Sequence, residues 1–200
     1  MEQDKFDTKR ECKCAGKCGA CQTLNLTYGA ELSLKMKQEI TLLGKFCHVD
    51  EIIPMEKPEA YRNKVQYIMQ YNGGRVNFGL YRSSDGKIVH VDGCMMEDAE
   101  LQSVCRTVRR LVDKYKLTVY DGRRGLVRHV MARKAFATGE ILCAIVTTDG
   151  KFDCAAELAE ELAELAAALA LAFFHVFFLL ITMSWSRQSQ AETDPAALRA

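Results

Sequence analysis

The first ten residues of this 200-residue sequence lack the apolar run that a secretory signal requires. They are mostly charged or polar, and no other targeting feature is evident there. We therefore expect a reducing, cytoplasmic environment. In such a compartment nine cysteines indicate a metal site or buried thiols rather than a disulfide framework.

The sequence also lacks a strong excess of either charge, because its net charge is only +1. This average hides an asymmetry, since residues 1–156 carry a net charge of +5 and residues 157–200 carry −4. Between Leu101 and Gly139 there are ten Lys or Arg residues and only two Asp residues. Such an excess is typical of a surface that faces phosphates, and a solvated basic face is equally compatible with it.

Cysteine is instead concentrated in one stretch, which reads Cys12-Lys-Cys14-Ala-Gly-Lys-Cys18-Gly-Ala-Cys21. Glycines let a backbone wrap closely around a cluster of thiolates, and the lysines offset its negative charge. The ligand spacing is C-x5-C-x2-C from Cys12 or C-x3-C-x2-C from Cys14. Three local cysteines with a distant fourth are typical of iron–sulfur proteins, and Cys94, in a turn after Asp92-Gly93, is the favoured fourth ligand.

Two other metal sites remain as alternatives at this point. Structural zinc sites usually combine two C-x2-C pairs, and a second pair is missing here. The C-x3-C-x2-C spacing also occurs in radical S-adenosylmethionine enzymes. Those enzymes are barrels built from repeated βα units, and the pattern of this sequence predicts β-meanders instead. Cys105 and Cys143 lie on apolar faces and are interpreted as core residues, whereas Cys47 and Cys154 stay open as ligands.

The hydrophobic periodicity predicts an α+β fold, with antiparallel β-meanders and two or three helices packed around the cysteine-rich loop. The first helix is expected to pack its apolar stripe beneath that loop. The predicted elements are a helix over 29–43, a hairpin over 61–81, a strand over 87–91, a helix over 97–115 and a strand pair over 125–133 and 140–148.

The composition changes at Glu157, where an Ala-, Glu- and Leu-rich helix begins. Residues 165–183 are then almost entirely apolar, which is compatible with a membrane span, with a helix followed by a buried strand over 173–181, or with an aberrant tail. We therefore divide the chain into a cysteine-rich loop expected to bind metal (1–28), a basic α+β domain (29–156) and a divergent C-terminal segment (157–200).

Several short motifs, taken in order, resemble the 23S ribosomal RNA (uracil-5-)-methyltransferase family. They span residues 12–150 and no single one is specific. The motifs are Cys12-x5-Cys18-Gly-Ala-Cys21-Gln22, Tyr28, Lys35, Tyr61-Arg-Asn-Lys-Val65, Phe78-Gly-Leu-Tyr81, Val91-Asp-Gly-Cys94, Leu126-Val-Arg-His-Val-Met-Ala-Arg133 and Thr138-Gly-Glu140.

This resemblance implies a 4Fe–4S cluster held by Cys12, Cys18, Cys21 and Cys94, with a structural or RNA-positioning role. The full-length family enzyme uses S-adenosylmethionine, but no glycine-rich cofactor loop, catalytic cysteine or general-base glutamate is found after Glu157. The Rossmann-like methyltransferase domain is therefore expected to be absent. We assign no catalytic or cofactor-binding residue, and we expect this chain alone to be inactive.

The expected partner is ribosomal RNA, and neither DNA nor an obligate protein partner is expected. Tyr67, Phe78 and Tyr81 are candidates for base stacking, although core or cross-strand positions are the commoner use of such residues. A membrane-tethered iron–sulfur electron carrier and a zinc-stabilised RNA-binding module are the alternative functions. The candidate RNA-binding residues are Arg62, Lys64, Arg109, Arg110, Arg123, Arg124, Arg128, Arg133 and Lys134.

Overall fold

A computed structural model describes residues 4–7, 9–72, 74–82, 84–148, 152–168 and 179–182. Four helices and six strands occur within these ranges. In chain order they are α1 (Asp4–Asp7), α2 (Tyr28–Leu43), β1 (Lys64–Asn72), β2 (Arg75–Tyr81), β3 (Ile88–His90), α3 (Ala99–Lys114), β4 (Val127–Lys134), β5 (Ile141–Thr147), α4 (Ala155–Ala168) and β6 (Leu179–Thr182).

The six strands form one sheet in the order β3-β2-β1-β4-β5-β6. The first five are antiparallel to their neighbours, as predicted, and β6 pairs parallel to β5. The two predicted strand groups are not separate, because β1 pairs with β4 and sets Val65 opposite Ala132. This pairing satisfies the backbone groups that both strands would otherwise leave at open edges.

Helix α3 covers one face of the sheet and builds the core. Its N-cap, Asp98, accepts hydrogen bonds from the backbone N–H groups of Glu100 and Leu101. The predicted apolar stripe is buried against the sheet side chains Tyr67 and Phe78. Cys105 and Cys143 are both fully buried in this core, which confirms their prediction as core residues.

Helix α2 was expected to pack its apolar stripe beneath the cysteine loop, and this expectation is wrong. The helix exists, with Thr27 as its N-cap, but only Tyr28 and Glu31 are buried. Of the predicted stripe, Leu32 and Met36 are half-buried, while Ile40 and Leu43 are exposed at 48% and 42%. The helix is anchored at its start, where the Tyr28 ring stacks on Phe6 with 5.6 Å between centroids.

The C-terminal helix predicted from Glu157 is present as α4, and its Leu158 and Leu162 side chains are buried in the same core. Among the described residues no helix is long and apolar enough to cross a membrane. Of the apolar stretch 165–183, positions 169–178 and 183 lie outside the described residues, as does the tail 184–200. The described part ends in β6, which agrees with a helix followed by a strand.

Candidate metal centre and RNA-binding residues

The cysteine-rich stretch folds as a series of tight turns rather than as a helix or strand. The backbone N–H of Ala15 donates to the Cys12 carbonyl, and that of Cys18 donates to the Cys14 carbonyl, at 3.0 and 2.9 Å. Gly16 has a φ of +71°, a conformation that glycine adopts without steric cost. The turns therefore bring four cysteine side chains around a short arc of backbone.

A fifth cysteine reaches the same place from the sheet. Cys94 follows β3 directly after Gly93, which has a φ of +78°. Cys12, Cys14, Cys18, Cys21 and Cys94 all line one pocket of about 870 Å³. Three basic residues, Lys9, Arg10 and Lys13, and two acidic ones, Glu11 and Asp92, line it too, while Cys47 and Cys154 do not contribute to it.

The donor set of this pocket suits a thiolate-ligated cluster. Within the described part of the chain, no group of three or more His, Cys, Asp or Glu side chains lies close enough to hold a single metal ion. A cluster of several irons holds its cysteines farther apart than one zinc ion, whose four ligands each lie about 2.3 Å from the metal. The five thiols that line this pocket therefore match the ligands of a cluster in residue type.

The thiols are partly desolvated. Burial and the nearby Glu97 carboxylate raise the pKa of Cys94 to about 11. Burial also raises the pKa of Cys21, against the opposing effect of the Arg62 guanidinium. A cation beside these sulfurs is therefore needed to favour the thiolate form that binds metal.

The thiol of Cys14 has a hydrogen-bond partner on the protein backbone. Its thiol donates to the His90 carbonyl oxygen at 3.5 Å, a long sulfur hydrogen bond. Its backbone N–H also points at the Cys12 sulfur, 3.4 Å away. Both Cys12 and Cys14 line the pocket, so the choice between them as the ligand stays a prediction.

Arg10 and Glu31 anchor the base of the cysteine loop, and sequence reasoning did not single them out. Arg10 pairs with Glu31 at the start of α2 and also donates to the Thr23 carbonyl at 3.4 Å. Burial would raise the pKa of Glu31, but hydrogen bonds from Lys35 and Arg10 hold it below its ordinary value. The position of Arg10, two residues before the first cysteine, was the only available signal.

A second buried carboxylate lies beneath Cys94. Glu97 is 4% exposed and accepts a hydrogen bond from the hydroxyl of Tyr67, which is itself 1% exposed. Burial raises the pKa of Glu97, although the Tyr67 hydroxyl and the Arg62 charge oppose the shift. No sequence signal distinguished Glu97 from the other acidic residues.

Two candidate RNA-binding residues have partners inside the protein. The Arg62 guanidinium donates to the Ala20 carbonyl in the cysteine loop at 3.0 Å. The Lys134 ammonium pairs with Asp98 at 3.1 Å and Glu100 at 2.9 Å, and its side chain is only 14% exposed. Both side chains therefore serve internal contacts in this structure.

The other candidates lie on several surfaces. Arg109 and Arg110 are on α3, where the Arg110 guanidinium donates to the Thr107 hydroxyl at 3.1 Å. Arg123 and Arg124 are exposed in the turn before β4, and the Arg128 guanidinium lies 4.6 Å from the centre of the Tyr120 ring. Only Lys64 and Arg133 lie directly opposite each other, on β1 and β4.

The aromatic candidates separate into core and surface. Tyr67 and Phe78 are buried and stack on each other with 4.6 Å between ring centroids. Tyr81, at the end of β2, is 59% exposed. Of the three, only Tyr81 is accessible to a base.

The sequence is similar to bacterial proteins named uncharacterized RNA methyltransferases. One from Clostridium tetani is 33% identical over 153 residues, covering 74% of this chain and 33% of the relative. One from Oceanobacillus iheyensis is 33% identical over 161 residues, covering 76% of this chain and 35% of the relative. The chain thus spans about a third of the length of the curated relatives it matches. No family model matches the sequence.

The fold has a counterpart among solved structures. The Pyrococcus abyssi tRNA (uracil-54, C5)-methyltransferase, solved with S-adenosyl-L-homocysteine, matches with a TM-score of 0.56 and 23% identity. The match covers 72% of this chain and 35% of that one. The chain therefore has the fold of one part of that enzyme.

Proposed function

We propose that this chain is the RNA-recognition and iron–sulfur part of an S-adenosylmethionine-dependent RNA uracil-C5 methyltransferase. The observation that carries this proposal is its similarity, over about three quarters of its length, to proteins named RNA methyltransferases. The fold match to a tRNA uracil-C5 methyltransferase supports the same reaction class. Ribosomal RNA is the proposed substrate, carried over from the motif resemblance.

Cys12, Cys18, Cys21 and Cys94 are the residues that would hold a 4Fe–4S cluster. The cluster would brace the loop against the end of β3 and so fix the surface that meets RNA. Lys9, Arg10 and Lys13 line the same pocket and would offset the negative charge of the ligands. Cys14, whose thiol donates to a backbone carbonyl, would remain a free thiol.

Methylation at C5 of uracil requires a thiolate that adds to C6 and a base that then removes the C5 proton. Cys105 and Cys143 are fully buried in the core and cannot reach a base, and four pocket cysteines, Cys12, Cys18, Cys21 and Cys94, are assigned to the cluster. We propose that this chain binds and orients RNA, and that S-adenosylmethionine and the reacting groups belong to sequence corresponding to the other two thirds of its relatives. The chain alone would then be inactive.

RNA binding by the 200-residue chain tests this proposal. We expect salt-dependent binding to ribosomal RNA fragments, with weaker binding to DNA of the same sequence, because the 2′-hydroxyl distinguishes the two. Transfer RNA serves as the competitor, since the structural neighbour acts on tRNA. Equal binding to DNA and RNA, or no binding to either, would refute the proposed function, and preference for tRNA would refute the ribosomal assignment.

A further inference from the structure

The sheet has one face covered by α3, and on its other face, over β1 and β4, the side chains are exposed or half-buried. Side chains alternate between the faces of a strand, so Val65 and Tyr67 of β1 are buried while Lys64 and Gln66 are exposed. Arg133 of β4 is exposed on the same side as Lys64. We call this surface the open face, defined by Lys64, Gln66 and Ile68 of β1, Tyr81 of β2, and His129, Met131 and Arg133 of β4.

Two cations face each other on the open face without compensation. The β1–β4 register sets Lys64 opposite Arg133, and like charges at directly opposed positions destabilise a sheet. Among the described residues, neither side chain forms an ion pair or a hydrogen bond. The open face has no Asp or Glu among its defining residues. A bound anion between Lys64 and Arg133 would relieve their repulsion.

Groups that suit a nucleobase lie in the neighbouring rows. Gln66 is opposite Met131, and Ile68 is opposite both His129 and Gly79. Continuing the β1–β2 register by two residues from Gly79 places the exposed Tyr81 ring beside Gln66. An aromatic ring and an amide thus lie next to the two cations. Bases stack on such rings, and amides hydrogen-bond to base edges.

His129 adds an unsatisfied polar atom to this surface. Its Nδ1 is buried and has no hydrogen-bond partner among the described residues. Buried polar atoms are nearly always satisfied in native proteins, by water or by a ligand, and a bound strand would offer this atom a partner. The atom lies one row from Gln66 and Met131 and two rows from the Lys64–Arg133 pair.

We propose that the open face binds single-stranded RNA, with Lys64 and Arg133 on phosphates and Tyr81 stacked on a base. This inference rests on the proposed function and names the surface that performs it. A double helix would offer its phosphates without an accessible base face, whereas a single strand offers both. The two cations, with no Asp or Glu among the residues that define the open face, match an RNA strand.

The test uses the 200-residue chain and a fluorescein-labelled, uridine-rich RNA 12-mer, titrated at several salt concentrations. For the double variant Lys64→Gln/Arg133→Gln, the slope of log K against log salt should shrink by about 1.4, or about 0.7 for each lost phosphate contact. For Tyr81→Ala, binding should weaken by about fivefold or more, since loss of one stacking side chain costs at least about 1 kcal/mol. The matched control is Lys37→Gln/Lys57→Gln, which removes two exposed cations outside the open face and should leave the slope unchanged.

Thermal unfolding separates binding from a structural role. Because the Lys64–Arg133 repulsion is removed, the double variant should unfold at the same or a higher temperature than the wild type. A lower Tm would overturn the inference, since it would show that the two cations stabilise the fold. Wild-type binding with an unchanged slope in the double variant would also overturn it and would leave the proposed function standing. Absence of RNA binding by the wild type would refute both.

Discussion

The guanidinium of Arg62 donates a hydrogen bond to the carbonyl of Ala20, at a distance of 3.0 Å. This contact joins the entry of β1 to the cysteine loop between Cys18 and Cys21. The backbone of Arg62 also bridges to that of Glu97, three residues after Cys94. Arg62 therefore connects the two parts of the chain that supply the proposed ligands.

Replacing Arg62 should loosen the metal site rather than weaken RNA binding. We expect Arg62→Gln to lower the free energy of unfolding by about 1–3 kcal/mol, because the loop loses a charged hydrogen-bond donor. It should also lose iron faster under a chelator challenge. Lys64→Gln, two residues further along, is the matched control and should change neither property. Equal iron loss in both variants would show that Arg62 has no special role.

The choice between Cys12 and Cys14 as a ligand is tested by two serine substitutions. The structure directs the Cys14 thiol to the His90 carbonyl, so Cys14→Ser should retain iron and sulfide. Cys12→Ser should lose them, because serine is a poor ligand for iron. Iron and sulfide analysis after anaerobic purification measures both outcomes. The reverse result would favour the C-x3-C-x2-C spacing.

The buried pair of Tyr67 and Glu97 should be important for stability. Tyr67→Phe removes the hydroxyl donor and leaves a buried carboxylate without it, which should cost about 1–3 kcal/mol of unfolding free energy. Tyr71→Phe is the control, since that exposed hydroxyl only meets the Leu117 carbonyl. The control should change stability by less than about 0.5 kcal/mol. Similar losses in both variants would contradict this account.

Glu97 should also make the free energy of unfolding depend on pH. Burial raises its pKa, so the folded state holds the proton more tightly than the unfolded state. The contribution of Glu97 to stability therefore falls as pH rises from the ordinary carboxyl range through the raised pKa. Urea unfolding of Glu97→Gln across this range should show a smaller fall than the wild type. An identical fall would mean that Glu97 is not the responsible group.

Glu31 should give the stability a pH dependence of the opposite sign to that of Glu97. Its pKa is held low in the folded state, so its stabilising effect is present above the ordinary carboxyl pKa and is lost as pH falls through the lowered value. At neutral pH Glu31→Gln should cost about 1–3 kcal/mol, because Arg10 loses its charged partner. Glu39→Gln, on the exposed side of the same helix, should cost little. Equal costs would contradict an anchoring role for Glu31.

The sequence predicted the elements better than their contacts. The spacing of Leu101, Val108 and Val112 predicted α3, and the alternation of residues predicted the strands, because both signals are local. The β1–β4 pairing is long-range and leaves no local signal. The predicted burial of the apolar stripe of α2 was wrong because packing is also long-range. An apolar pattern in the sequence does not specify which element packs against it.

The candidate sites show the same difference between local signals, which the sequence carries, and long-range contacts, which it does not. Cys94 was found from its turn and does line the pocket with the loop cysteines. The basic excess of the sequence includes residues with different environments. Lys134 is paired with Asp98, whereas its neighbour Arg133 is exposed on the opposite face of the sheet. Charge density along the sequence cannot separate them, because adjacent strand residues point to opposite sides of a sheet.

The central claim is that the cysteine pocket holds an iron–sulfur cluster within an RNA-binding protein. Quantitative analysis of iron, acid-labile sulfide and zinc in the anaerobically purified chain tests it most directly. The account predicts iron and sulfide in equal amounts, at about four of each per chain for a 4Fe–4S cluster. Stoichiometric zinc without iron would contradict it.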